Sequence, residues 1–130
     1  MLLRPTAMLC ITTCVTAGLF AQDATHANPA DSECQQATTT SAMRVCENAR
    51  YNVAERELGV AYQSLLQQLD GEQKQKLRIA QRAWIRFRDT NAEFQASLAQ
   101  GGTLAPLIKI GTLTEMTKAR TSELKKAVLP

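Results

Sequence analysis

Carboxylates stand at Glu47, Glu55, Glu57, Glu93, Glu115 and Glu123, and paired carboxylates are what glycoside hydrolysis uses. That chemistry needs two of them held across a cleft at a defined separation, and nothing in their spacing singles out a pair. His26 is the single histidine of the chain, so the commonest general base and a common metal ligand is scarce from the outset. No cluster of His, Cys, Asp and Glu has the spacing of a metal site, and no cofactor motif is present. The residues therefore predict a protein that acts by binding, with no metal, no cofactor and no catalytic centre.

The binding candidates are basic and glycine-rich. Lys74, Arg78, Arg82 and Arg86 recur every four residues, which on a helix makes a stripe that drifts slowly around the axis. Like charges at that spacing cost a few tenths of a kcal/mol each, so helix stability does not explain them. Either solubility or a docking role does, and an anionic envelope polymer or lipid headgroup would suit such a face. Gly101, Gly102 and Thr103 form a second candidate contact. Trp84, Arg88 and Asp89 fall on or beside an apolar stripe, where a packed ring and an internal ion pair or cap are the expected roles. Helical spacing would let Asp89 reach Arg86.

The elements that must carry these residues begin after an export signal. In the 130-residue chain, Arg4 precedes an apolar run from Ala7 to Phe20. Small residues then allow cleavage after Ala21 or Ala27, so residues 1–27 read as a signal peptide. The run is short of the roughly 20 apolar residues of a membrane span, and a lipidation site at Cys14 is poorly formed. The expected location is periplasmic or secreted, which also argues against nucleic acid as a partner. Cleavage after Ala27 takes His26 with it. The formal charge of +3 is unchanged, because Arg4 and Asp23 both leave.

Cys34 and Cys46 remain, and in an oxidising compartment two cysteines most simply pair, two separate thiols being the alternative. Residues 28–40 read as an exposed lead-in and 41–130 as the helical domain. A first helix is predicted from a cap among Thr38 to Ser41 to about Leu69, with Ala54, Leu58, Ala61, Tyr62, Leu65 and Leu69 on its apolar face. Asp70 caps a second helix, with Gln73 completing a capping box. Its apolar set is Leu77, Ala80, Trp84, Phe87, Asn91, Phe94 and Leu98, ending at Gly101–Gly102. Thr103 is the expected cap of a third, with Pro106 in its first turn and Gly111 as a point where it could break. Short connections make neighbours antiparallel. The fold class is all-α: a long antiparallel helical hairpin with a third helix packed alongside and one disulfide.

Three blocks carry a resemblance. The first is Cys34, Met43-Arg-Val-Cys46, Tyr51, Ala54-Glu-Arg-Glu-Leu58, Tyr62 and Leu65-Leu66. The second is Ala80-Gln-Arg-Ala-Trp-Ile-Arg-Phe-Arg-Asp89. The third is Gly101-Gly-Thr with Leu113-Thr-Glu-Met-Thr117 and Arg120-Thr-Ser-Glu-Leu124. In this order they resemble the LprI-like lysozyme-inhibitor domain of exported bacterial proteins. The resemblance implies a binding protein whose partner is a lysozyme-like glycoside hydrolase, against the alternative of an envelope module docking on anionic polymer or a partner protein. The family commonly carries a second cysteine pair, where this chain has Ala92 and Thr112. The loop at Gly101–Gly102 is therefore expected to be less firmly tied.

Overall fold

The computed structural model describes residues 34–127. The predicted signal peptide and residues 28–33 of the lead-in lie outside the described residues. The described residues form three long helices: α1, Thr40–Gln68; α2, Gly71–Ser97; and α3, Ala105–Lys126.

Local chemistry accounts for their ends. Thr39 is extended and its side chain accepts from the Ala42 N–H at 3.1 Å, satisfying a donor the first turn cannot. Leu69 leaves α1 in an extended conformation. Asp70 then opens α2 with the predicted reciprocal box: the Gln73 N–H donates to Asp70 Oδ1 at 2.8 Å, and the Asp70 N–H donates to Gln73 Oε1 at 3.0 Å. The reversal thus occupies two residues, which forces α1 and α2 antiparallel. At 27 residues, α2 is about 40 Å long. It stops where Gln100 and Gly101 take left-handed backbone angles, φ 52° and 74°.

The start of α3 differs from expectation. Leu104 occupies the cap without a side-chain hydrogen bond, and Pro106 supplies the pre-set first turn. Thr103 does not cap. Gly111 does not break the helix either, because packing on both sides of α3 outweighs a penalty of about 1 kcal/mol.

The third helix packs along the hairpin and touches both arms. Its partners show its direction. Arg120 meets Gln81, Thr117 meets Arg88 and Lys109 meets Glu93, so α3 runs antiparallel to α2 and hence parallel to α1. Ala54, Leu58, Ala61 and Leu65 line the inner face of α1, with Leu124 of α3 against them and Tyr62, Leu69, Leu77 and Trp84 closing the cluster. Each buried leucine contributes about 2 kcal/mol of transfer free energy. The inner face of α3 is built from threonines. Thr114 and Thr117 are wholly buried and Thr121 nearly so. Thr114 and Thr121 donate to the carbonyls of Ile110 and Thr117, each at 2.9 Å. Small side chains that satisfy their own hydroxyls let the α3 backbone lie close to Ala54 and Ala61. Every buried side-chain nitrogen or oxygen among the described residues has a hydrogen-bond partner.

The disulfide joins Cys34 to Cys46, twelve positions apart, with their Cα atoms 5.4 Å apart. It ties the chain ahead of α1 to the second turn of that helix. Ala92 is completely buried, while the Thr112 hydroxyl donates to the Ile108 carbonyl at 2.9 Å.

The rotation of α2 corrects the sequence reading. Its buried positions are Gln81, Arg88 and Ala92, with Leu77 and Trp84 partly covered; Phe87, Phe94 and Leu98 are exposed. Two stripes on this helix have suitable periodicity, and they lie roughly a third of a turn apart. The one that faces inward contains Arg88, because the partners waiting for its charge lie on α1 and α3.

Candidate functional site

Arg88 is the centre of the polar interior. Its guanidinium is paired with Glu55 of α1, donates to Asp89 Oδ1 at 2.9 Å and donates to Thr117 Oγ1 of α3 at 3.2 Å. The Thr117 hydroxyl in turn stands 3.4 Å from Glu55 Oε1. One side chain therefore bonds to all three helices. Aromatic faces complete its enclosure: the guanidinium carbon lies 5.2 Å from the Trp84 ring centre and 5.7 Å from that of Tyr51, within cation–π range. Arg120 approaches Trp84 as well, at 5.8 Å, while donating to Gln81 Oε1 at 3.1 Å and to Glu123 at 2.9 Å.

Electrostatics follow from this enclosure. Burial by itself would lower the Arg88 pKa, but the hydrogen bond to Asp89 and the charge on Glu55 outweigh it and raise the value, so the cation persists. Burial raises the Tyr51 phenol above its ordinary value; the Arg88 charge opposes that rise, and Glu55 adds to it both as a negative charge and as a hydrogen-bond acceptor. Asp89 pairs with its neighbour Arg88 and not with Arg86 as the spacing suggested. The reason is the desolvated Arg88 charge, which gains more from a carboxylate than the hydrated Arg86 would.

The remaining site candidates lie on the surface. Lys74 is half-buried, Arg78, Arg82 and Arg86 are exposed, and none takes part in the ion pairs found among the described residues. Arg78 and Arg82 border an open groove of about 390 Å³ between α1 and α2, floored by Leu58, Gly59 and Tyr62. Gly101, Gly102 and Thr103 are also exposed, at the far end of α2 from that groove. Basic stripe and glycine loop are thus two separate surfaces. Trp84 belongs to neither, being held between Arg88 and Arg120.

Sequence reasoning missed Glu55, Tyr51, Thr117, Gln81 and Arg120 as members of one polar layer. Their signal was weak: each lies inside a resemblance block or next to one, but nothing local ties Glu55 to a residue 33 positions away. Among the described residues, no group of three or more His, Cys, Asp or Glu side chains could hold a metal ion. None of their helices is long and apolar enough to cross a membrane.

The sequence profile of the lysozyme inhibitor LprI family matches residues 30–124, which takes in all three helices almost to the end of α3. The chain belongs to this family. An uncharacterized protein of Rhizobium meliloti (strain 1021) is 29% identical over 114 residues, covering 78% of this chain and 82% of its own length. No solved structure matches the chain. The LprI assignment gives the chain a place among proteins described as lysozyme inhibitors and leaves the particular target open.

Proposed function

We propose that this LprI-family protein is exported and inhibits a lysozyme-like peptidoglycan hydrolase by occupying its substrate cleft. The family match over residues 30–124 carries the reading. An inhibitor of such an enzyme must offer donors to catalytic carboxylates. Arg78, Arg82 and Arg86, exposed and in none of the ion pairs among the described residues, are side chains available for that role on one stripe, with Gly101–Thr103 as a second contact. The net charge of +3 favours long-range approach to a target with an acidic surface over a strongly basic one.

Peptidoglycan turnover by a panel of hydrolases, with the oxidised wild-type protein and an Arg78→Glu/Arg82→Glu/Arg86→Glu variant, tests this. Inhibition by the wild type that the variant loses, at unchanged helix content, is the expected outcome. The same unpaired stripe favours a second reading, docking on an anionic envelope polymer. That reading expects binding to cell-wall material to weaken steeply with salt, without any effect on hydrolase turnover.

A further inference from the structure

The outer face of α2 carries an apolar seam that the fold leaves uncovered. Phe87, Phe94 and Leu98 are 60%, 56% and 62% exposed. Ala80, Ala83 and Thr90 are exposed as well and continue the three- and four-residue spacing, so the six form one stripe along the helix. It lies beside the buried Leu77–Gln81–Trp84–Arg88 face, not opposite it. A seam of this spacing is the kind that another helix covers.

We propose that the occupant is a second copy of this chain, its α2 packed antiparallel against the first across a two-fold axis midway between Phe87 and Thr90. Side-chain size supports this choice. In that register Phe94 of one copy lies over Ala83 of the second copy, and Phe87 lies over Thr90 of the second copy. The two-fold axis repeats both contacts, so each large ring meets a small residue. Charge supports it independently. Arg86 and Glu93 flank the seam on one side, seven residues apart, and the same antiparallel register sets Arg86 against Glu93 of the second copy, twice. A parallel pairing in register would instead set Phe87 against Phe87 and Phe94 against Phe94, with Arg86 out of reach of Glu93 of the second copy. Arg86 has no ion-pair partner within the chain among the described residues, while Glu93 engages Lys109 through one oxygen at 3.2 Å, leaving the other for a second cation. The pairing goes beyond the inhibitory reading and reassigns one of its three arginines. In the dimer Arg86 is committed to the seam, and Arg78 and Arg82 stay open to a target.

Sedimentation equilibrium of the oxidised protein, expressed from its full coding sequence into an oxidising compartment, tests the pairing. Over about 1 to 200 µM the wild type is expected to approach twice the monomer mass. Phe87→Glu should be monomeric across that range with undiminished helix content, since the side chain it replaces is mostly solvent-exposed. Arg86→Glu and Glu93→Arg should each weaken association at least about ten-fold, and the double swap should bring it back to within about three-fold of wild type. A wild type that stays monomeric throughout overturns the proposal. So does a dimer that survives Phe87→Glu, or a double swap no better than the single variants. If the wild type is monomeric and Phe87→Glu abolishes hydrolase inhibition, the seam belongs to the target and not to a second copy.

Discussion

Replacing Arg88 by alanine removes the one side chain that bonds to all three helices, and the loss can be worked out from its contacts. The guanidinium gives up a buried hydrogen bond to Thr117, about 1 kcal/mol, and its approach to the Trp84 and Tyr51 rings, together on the order of 1 kcal/mol. Its pairs with Glu55 and Asp89 count for less than a fully buried pair. Those carboxylate side chains are 39% and 50% exposed, so water can reclaim them and each pair contributes only about 0.5–1 kcal/mol. The space left by a side chain 7% exposed adds about 1 kcal/mol. Arg88→Ala should therefore destabilise the fold by about 4 kcal/mol. In a domain of this size that lowers Tm by on the order of 20 °C. Arg88→Met keeps the stem and fills the space, and should lose about half as much. Thermal unfolding followed by far-UV circular dichroism measures both. If Arg88→Ala melts within about 5 °C of wild type, the polar layer does not hold the helices together. If inhibition is lost at the same time, Arg88 acts on the target instead.

Other consequences are equally direct. The Tyr51 phenol, raised by burial above its ordinary 10.0, favours the folded state while it is protonated. Its contribution is complete below pH 10 and is lost as pH rises through the folded-state value. Tyr51→Phe should thus flatten the alkaline fall in stability, read by denaturant unfolding across that pH range. Cys34→Ser/Cys46→Ser opens a loop of twelve positions, and denaturant unfolding should show a loss of up to about 3 kcal/mol. Gly59 lies within α1 with nothing within 4 Å of where a Cβ would sit. Gly59→Ala should stabilise the protein by about 1 kcal/mol in the same assay.

What the sequence made legible was mostly local. Helix existence, the Asp70–Gln73 capping box and the stop near Gly101 all depend on residues within four positions of one another, and all three stand in the structure. Thr103 failed as a cap because Pro106 and the preceding turn already set the start of α3. The rotation of α2 was not legible. Phe87, Phe94 and Leu98 make a better apolar stripe by composition than Gln81, Arg88 and Ala92. The inward face is chosen by Glu55, Tyr51 and Thr117, drawn from distant parts of the chain. Hydrophobic periodicity carries no information about which charge has a buried partner. The surface candidates fared differently: Arg78, Arg82 and Arg86 were legible as a stripe, but that Arg78 and Arg82 flank a groove beside Gly59 depends on how α1 and α2 meet.

The central claim is inhibition, and a stoichiometric titration addresses it most directly. A fixed amount of each peptidoglycan hydrolase is mixed with increasing oxidised protein, and residual turnover of a labelled peptidoglycan is recorded. The account predicts a dose-dependent fall for at least one enzyme at sub-micromolar protein, saturating near one binding chain per enzyme and lost on charge reversal at Arg78 and Arg82. Full activity of every hydrolase in the presence of excess folded protein would contradict it.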